Sequence, residues 1–179
     1  MSPRRRVPPV ACESFAPIVG RAPRVLVLGS MPGARSLAEQ RYYANPHNLF
    51  WRFVGELCGI DVAMTYERRI AALAKCGIAL WDVLERCERS GSLDGGIVRG
   101  TEVPNDVAGL LRRHRTIRAV ALNGSKAAQA FERVTWPVLG EATRARLAVL
   151  KLPSTSPANA SIPVETKRCA WRAIARYLE

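Results

Sequence analysis

Four short apolar runs, each ended by a cluster of small or polar residues, constrain the fold of this chain more than any other feature. The runs lie at residues 24–28, 78–81, 117–122 and 146–152. Continuous apolar runs of this length are typical of strands that are buried on both faces. Strands that alternate with helices predict a parallel sheet with helices on both sides. We therefore expect an α/β three-layer sandwich with a central four-stranded parallel sheet flanked by helices.

Helical periodicity fills the gaps between these runs. Ser36 with Glu39 three residues later is typical of a capping box that starts a helix, and Gly59 is a typical helix stop. Residues 87–100, rich in Ser, Gly and Arg, predict a loop, and the segment VTWPVLG predicts a hinge. The predicted helices span residues 48–59, 65–75, 105–113, 126–132 and 164–178.

Residues 1–22 differ from the rest of the chain. The segment is basic and contains Pro8, Pro9 and Pro17, which oppose regular structure. We expect a flexible basic N-terminal arm followed by a single domain over residues 23–179. The opening residues have no apolar core and do not resemble a signal peptide. No apolar run reaches the ~18 residues that a membrane helix requires, so we expect no membrane partner.

A large positive charge is the outlier of the composition. The chain has 27 basic and 15 acidic residues and a net charge of +12, whereas its 48% hydrophobic content is ordinary. Such an excess favours a polyanionic partner, of which nucleic acid is the commonest. An arginine-rich composition spread over a solvated surface is the alternative.

The five cysteines bear on the compartment and on cofactors. They are widely spaced, odd in number and contain no C-x-x-C pair. This spacing argues against a zinc ribbon or a disulfide scaffold and favours a reducing compartment. We expect a cytoplasmic protein, acting as a monomer, with no metal and no cofactor.

Polar motifs follow each of the four runs. They are GSMPG, WDV, NGS and LPSTSP in chain order. Ligands of parallel sheets bind outside the carboxyl ends of the strands, so we expect these loops to converge on one site. Aromatic residues, amides and a histidine crowd into YYANPHNLFW between the first two runs. That composition suits a pocket that holds a flat polar ring.

The ordered set of motifs GSMPG, YYANPHNLFW, LWDV, LNGSKA and LPSTSPANA resembles the uracil-DNA glycosylase superfamily. The hypoxanthine-DNA glycosylase branch, also called the DNA-deoxyinosine glycosylases, is the most similar, and the resemblance covers roughly residues 24–178. It implies a monofunctional enzyme of base excision repair. Such an enzyme flips a deaminated base out of DNA and hydrolyses its N-glycosidic bond. Hypoxanthine and uracil are the implied bases, with xanthine a further candidate.

The resemblance implies roles for Tyr43 and Asn48. Tyr43 stands where the superfamily places the aromatic residue that stacks on the flipped base; a core tyrosine is the alternative. Asn48 stands at the asparagine of the N-x-F-W motif and is the implied catalytic residue. An amide is no general base at neutral pH, so Asn48 would orient the water by hydrogen bonding. The alternative is that Asn48 only caps the helix that follows.

Further residues are implied to bind the base. Many relatives have a water-activating Asp or Asn in the turn after the first strand, where this chain has Ser30 and Met31, neither of which can do that. Asp82 follows the second strand, where some members read the base edge with an asparagine; capping of the next turn is the alternative. His47 could polarise water or bind phosphate; a surface histidine in a loop is the alternative. We expect Ser30, Met31, Asp82 and His47 in the base pocket.

The loops after the third and fourth strands are implied to bind DNA. Small hydroxyl residues suit this because their O–H and backbone N–H groups approach phosphate closely. The uracil-specific members carry a catalytic histidine where this chain has Leu152, which removes their histidine-assisted mechanism. The expected DNA-binding residues are Asn123, Gly124, Ser154, Thr155, Ser156 and Arg89. The missing Asp and His also motivate an alternative, a non-catalytic DNA-binding module of the same fold.

Overall fold

The central sheet has four parallel strands, as predicted. The computed structural model describes residues 8–179. The strands of this sheet are β2 (Val25–Gly29), β3 (Ile78–Asp82), β6 (Ala119–Asn123) and β7 (Ala148–Leu152), and their order across the sheet is β3-β2-β6-β7. The pairs are in continuous parallel register, with Leu28 opposite Trp81 on one side and Leu122 on the other. All four carboxyl ends therefore lie at one edge of the sheet.

Seven α-helices connect or follow the strands within the described residues. Their caps explain two of the predicted starts: the Thr65 hydroxyl accepts from the Arg68 amide, and the Asp106 carboxylate accepts from the Gly109 amide. Gly59 ends its helix with φ +66°, a conformation that favours glycine. The helices are α1 (Ala34–Glu39), α2 (Phe50–Cys58), α3 (Tyr66–Lys75), α4 (Val107–Arg113), α5 (Ser125–Ala130), α6 (Glu141–Arg146) and α7 (Val164–Trp171).

Two apolar clusters cover the two faces of the sheet. On one face, Leu26 and Leu28 pack with α4 and α5. On the other face, Val25 and Val27 pack with Phe50, Phe53 and Trp171 from α2 and α7. Alternate residues of the same strand thus face opposite helical layers, which is why the strand reads as one continuous apolar run. The three-layer α/β sandwich is confirmed.

A second, antiparallel sheet was not predicted. It has the order β1-β4-β5, where β1 is Val10–Glu13, β4 is Leu84–Arg89 and β5 is Val103–Pro104. The flexible arm predicted for residues 1–22 is therefore wrong for β1, and the predicted loop at 87–100 begins inside β4. In the register of this sheet, Cys12 of β1 lies opposite Cys87 of β4. Strand pairing between residues so far apart in the chain leaves no local sequence pattern. Residues 1–7 of the predicted arm lie outside the described residues.

Three local predictions need correction. Ser36 does not cap α1; Gly33 precedes the helix, and the Ser36 hydroxyl accepts a hydrogen bond from the Ala44 amide instead. The predicted hinge VTWPVLG is largely helical, since a π-turn and a 3₁₀ turn cover 131–138. The last predicted helix changes after α7 to 3₁₀ geometry over Arg172–Tyr177.

One disulfide joins Cys58 at the end of α2 to Cys76 at the end of α3. The odd number and wide spacing of the cysteines, with no C-x-x-C pair, predict a reducing compartment, so this disulfide was not expected. The fold brings their Cα atoms within 5.7 Å, a separation that a disulfide can span. Across residues 8–179, no helix has the length and apolar character needed to cross a membrane.

Candidate active site

A cavity of about 900 Å³ lies at the carboxyl ends of the parallel strands. All four strand-end segments contribute to its lining: the turn at 29–33, Asp82, residues 123–125 and residues 151–159. The segment after the first turn adds Tyr42, Tyr43, Asn45 and Asn48. The predicted convergence of the four loops on one site is confirmed.

A stacked aromatic pair forms one wall. The ring of Tyr43 lies on the ring of Phe50, with centroids 3.9 Å apart and an angle of 18° between the ring planes. Tyr43 is half-buried and has φ +53°, a strained backbone conformation for a bulky residue. Its hydroxyl accepts a hydrogen bond from Asn123 at 2.9 Å. Burial raises the pKa of Tyr43, so the phenol stays protonated. The neighbouring Tyr42 is buried in the core.

Asn48 lies on the same wall, two residues before α2. Its Oδ1 accepts a hydrogen bond from the backbone amide of Phe50 at 2.9 Å, so the side chain caps the first amide of the helix, although Leu49 occupies the N-cap position. It also lines the cavity. The cap uses one acceptor position of the amide oxygen, and within the described chain no protein acceptor is bonded to the Nδ2 group. The capping role and a water-binding role are therefore compatible at this residue.

Asp82 is a buried carboxylate at the end of β3. It is 3% exposed and lines the cavity; its Oδ2 makes no hydrogen bond within the described part of the chain, although the Tyr42 hydroxyl, itself without a partner there, lies close enough to lower its pKa. Burial raises its pKa to about 7; the charge of Asp94 adds to the rise, whereas Tyr42 and Arg89 oppose it. Gly29 makes room for this group, because a Cβ atom there would lie 2.5 Å from Asp82 Oδ1.

The turn after β2 carries two of the predicted base-binding residues. Ser30 and Met31 are both 6% exposed and both line the cavity. The Ser30 hydroxyl donates to Asp94 Oδ2 at 2.7 Å. Asp94 also lines the cavity, yet sequence reasoning missed it. It lies in a Ser- and Gly-rich segment 64 positions from its partner, where no local pattern reveals the contact.

Two of the predicted site residues lie elsewhere. His47 is exposed and its backbone amide donates to the Asn45 side chain, but His47 is not part of the cavity lining. Arg89 is 1% exposed, so its prediction as a DNA contact is wrong. Its guanidinium donates to the carbonyls of Pro32 at 2.8 Å and Gly91 at 3.2 Å. Arg89 instead joins the turn after β2 to the loop after β4.

The predicted DNA-binding pair Asn123 and Thr155 forms an internal link. Asn123 Nδ2 donates to Tyr43 Oη and to Thr155 Oγ1, both at 2.9 Å, and Asn123 Oδ1 accepts from the Thr155 amide at 3.0 Å. Thr155 is fully buried. These side chains have their hydrogen-bonding groups occupied inside the protein. They hold the last loop and the Tyr43 ring together at the cavity wall, and their contact with DNA stays a prediction.

The remaining predicted DNA-binding residues lie at the cavity rim. Gly124 is buried with φ +95°, and a Cβ atom there would lie 2.9 Å from Ser154 Cβ. Ser154 and Ser156 are half-buried and line the cavity. Their hydroxyl oxygens accept from the amides of Ser156 and Ala158, in a tightly turned loop.

Residues of α7 that sequence reasoning missed support this loop from behind. The Lys167 ammonium donates to the Asn159 carbonyl, and the Trp171 indole donates to the Pro153 carbonyl at 3.0 Å. Lys167 is 2% exposed, and its desolvation lowers the pKa of its ammonium. No group of three or more His, Cys, Asp or Glu side chains able to hold a metal ion occurs among residues 8–179.

Comparison with known proteins agrees with this architecture. The family model described as the uracil DNA glycosylase superfamily matches residues 17–176, which include all four strand ends and the cavity. The chain belongs to the uracil DNA glycosylase superfamily. This match begins at residue 17, seven residues before the resemblance predicted from the sequence. It therefore includes Ile18, which forms an isolated antiparallel β-bridge with Leu80.

Two relatives in this superfamily carry the name hypoxanthine DNA glycosylase. The one from Methanosarcina acetivorans is 35% identical over 169 residues, covering 92% of this chain and 98% of the relative. The one from Methanosarcina barkeri is 33% identical over 118 residues, covering 65% and 73%. A solution NMR structure of a candidate uracil DNA glycosylase from Methanosarcina acetivorans has a TM-score of 0.77, 31% identity, and coverage of 94% and 99%.

Proposed function

We propose that this chain is a monofunctional DNA glycosylase that hydrolyses the N-glycosidic bond of a deaminated base flipped out of DNA. Hypoxanthine is the first proposed substrate, uracil the second and xanthine a further candidate. The observation that carries the proposal is the cavity at the strand ends, in which the Tyr43–Phe50 stack lies near the buried Asp82 carboxylate. A flipped base needs these two things, a surface to stack on and a polar group that reads its edge.

Base recognition is assigned to Tyr43 and Asp82. Phe50 covers one face of the Tyr43 ring, so the base would stack on the other face. Hypoxanthine presents a ring N–H beside a carbonyl oxygen. The unpartnered Oδ2 of Asp82 accepts from that N–H when ionised and donates to the carbonyl when protonated, and its pKa near 7 gives access to both forms. Ser30 and Met31 complete the pocket wall.

Water placement is assigned to Asn48. In the reaction, the water oxygen bonds to C1′ of the sugar while the C1′–N bond breaks and its electron pair leaves with the base. Holding the water in line with that bond supplies much of the rate, because it replaces a random encounter by a fixed geometry. The cap bond to Phe50 fixes the side-chain orientation of Asn48, which suits this role.

DNA binding is assigned to the loop after β7, which contains Ser154 and Ser156, and to the surface charge. Ser154 and Ser156 carry small hydroxyl groups on a loop braced by α7 and can approach a phosphate closely. The net charge of +12 favours binding to the backbone independently of sequence. We also propose that the protein acts on DNA as a cytoplasmic monomer.

Base release from defined duplexes tests the proposal. The purified protein is incubated with duplexes that hold one inosine, one uracil or one xanthine, and abasic sites are then revealed by alkali. We expect strand breaks with inosine that depend on the alkali step. Breaks without alkali would contradict the monofunctional mechanism. No release from any of the three duplexes would reject the proposal, and tight binding of an abasic duplex in that case would favour the non-catalytic module.

A further inference from the structure

The end of β4 and the loop that follows it lie across the turn after β2 and the start of α1, and three hydrogen bonds join them. The Ser30 hydroxyl donates to Asp94 Oδ2 at 2.7 Å, and the Ala34 amide donates to Ser92 Oγ at 3.1 Å. The buried Arg89 guanidinium donates to the Pro32 carbonyl at 2.8 Å. Asp94 is therefore joined to the cavity wall through its own carboxylate, and Ser92 joins the same loop to the start of α1.

We propose that Asp94 is a further catalytic residue, the general base that takes the proton of the attacking water. This inference rests on the glycosylase function proposed above. Asn48 can orient a water molecule but cannot accept its proton at neutral pH, since an amide is not basic. Ser30 and Met31 of the turn cannot accept it either. Asp94, which comes from the loop after β4, places a carboxylate beside this turn, where it accepts the Ser30 hydrogen bond.

The hydrogen bonding of Asp94 leaves room for such a water. Oδ2 receives the Ser30 hydroxyl, and no other donor within residues 8–179 is bonded to the carboxylate. Asp94 is half-buried and lines the cavity. The nearby Oδ2 of Asp82, which is buried and has no partner, is a second observation that this end of the cavity is completed by a ligand.

The charges around Asp94 suit a base. Asp82 of β3, Arg89 of β4 and Lys126 of α5 lie within electrostatic range of the carboxylate. Burial raises the pKa of Asp94, whereas the Ser30 hydrogen bond and the two cations lower it. A raised pKa makes the carboxylate a stronger base than an exposed one. The charge of Asp94 also acts on the Tyr43 phenol, which links it to the stacking wall.

The step balances without any co-reactant. As the water oxygen bonds to C1′, one water proton passes to Asp94, the C1′–N bond breaks, and its electron pair stays on the base nitrogen. The sugar keeps the new hydroxyl group. The departing base is protonated by solvent or by a cavity acid, and Asp94 loses its proton when the products leave.

Single-turnover base release against pH tests the inference. With an inosine duplex, we expect the wild-type rate to fall on the acid side as its base is protonated. Asp94→Asn should slow release by about 10²-fold or more and remove that acid limb, because an amide does not titrate. Asn48→Ala should slow release but keep the limb. The matched control, Asp61→Asn, changes an exposed carboxylate that is absent from the cavity lining and should behave as the wild type does.

A second variant protects the test against a folding defect. Asp94→Gly should be inactive and should regain part of its rate in formate, since a free carboxylate can take the water proton in the vacated space. If Asp94→Asn keeps a rate within about threefold of wild type and an unchanged acid limb, the role of Asp94 as general base is rejected. The proposed glycosylase function is not affected by that result. Absence of formate rescue in a folded Asp94→Gly protein would count against this role of Asp94 too. No release by the wild type would instead reject the glycosylase function itself.

Discussion

The Tyr43 ring lies 3.9 Å from the Phe50 ring, centroid to centroid, and only 18° from parallel with it. Phe50 in turn meets Trp51 and Trp171 edge-on, so the stack is continuous with the core under α2. Asn123 holds the Tyr43 hydroxyl. The ring is thus fixed from behind and at its edge, leaving one face for a ligand. A fixed ring loses little entropy on binding, which is what a stacking surface for a flipped base requires.

Replacing Tyr43 by alanine should weaken binding to an inosine duplex by roughly 1–3 kcal/mol, the usual contribution of one base-stacking ring. Tyr43→Phe is the matched control, since it keeps the ring and loses only the hydroxyl that accepts from Asn123. Titration of a fluorescent duplex under conditions without turnover measures both dissociation constants. Equal affinities for the alanine and phenylalanine variants would show that the ring does not stack on the base.

Replacing Asn48 by alanine should reduce turnover by about 10²-fold or more while binding stays nearly intact, because water positioning is lost. The lost cap at Phe50 should also lower the free energy of unfolding by about 1 kcal/mol. Asn48→Ser separates the two effects, since a serine hydroxyl can still cap the helix. Stability near wild type with low turnover is expected for it. Turnover within a few-fold of wild type in Asn48→Ala would limit the residue to capping.

Asp82 should make stability fall as the pH rises. Its pKa is about 7 in the folded chain, above the ordinary value of 3.8. The folded state therefore binds more protons than the unfolded state between about pH 4 and pH 7, and it loses stability as pH rises through this window. Asp82→Asn removes the effect. Relative to wild type, its free energy of unfolding should gain up to roughly 4 kcal/mol across the window, as measured by urea unfolding at several pH values.

The fold was largely predictable because its strongest signals are local. Residues such as Leu26 and Val27 lie in one short run whose neighbours face opposite helical layers, so the buried strand is visible in the sequence itself. The convergence of the strand ends follows from parallel topology alone. β1 was missed because its pairing partner, β4, lies more than 70 positions away in the chain.

The candidate site was predictable only where a motif marks it. Tyr43, Asn48 and Asp82 lie in or directly after such motifs, and all three line the cavity. Asp94 accepts a hydrogen bond from Ser30, which lies 64 positions away in the chain. No sequence pattern near Asp94 indicates this contact or its place in the cavity wall. Arg89 shows the opposite error, since arginine in a basic chain suggests a phosphate contact, and only the fold reveals that its partners are buried carbonyls.

Arg89→Met gives a test of that burial. The substitution leaves the carbonyls of Pro32 and Gly91 without their donor, so the free energy of unfolding should fall by roughly 1–3 kcal/mol. Arg99→Met, at an exposed position in the following segment, should change it by less than about 0.5 kcal/mol. The buried guanidinium cannot reach a phosphate. Plots of log affinity for DNA against log salt should therefore have the same slope for Arg89→Met and wild type, whereas a slope smaller by about 0.9 would restore the residue as a phosphate contact.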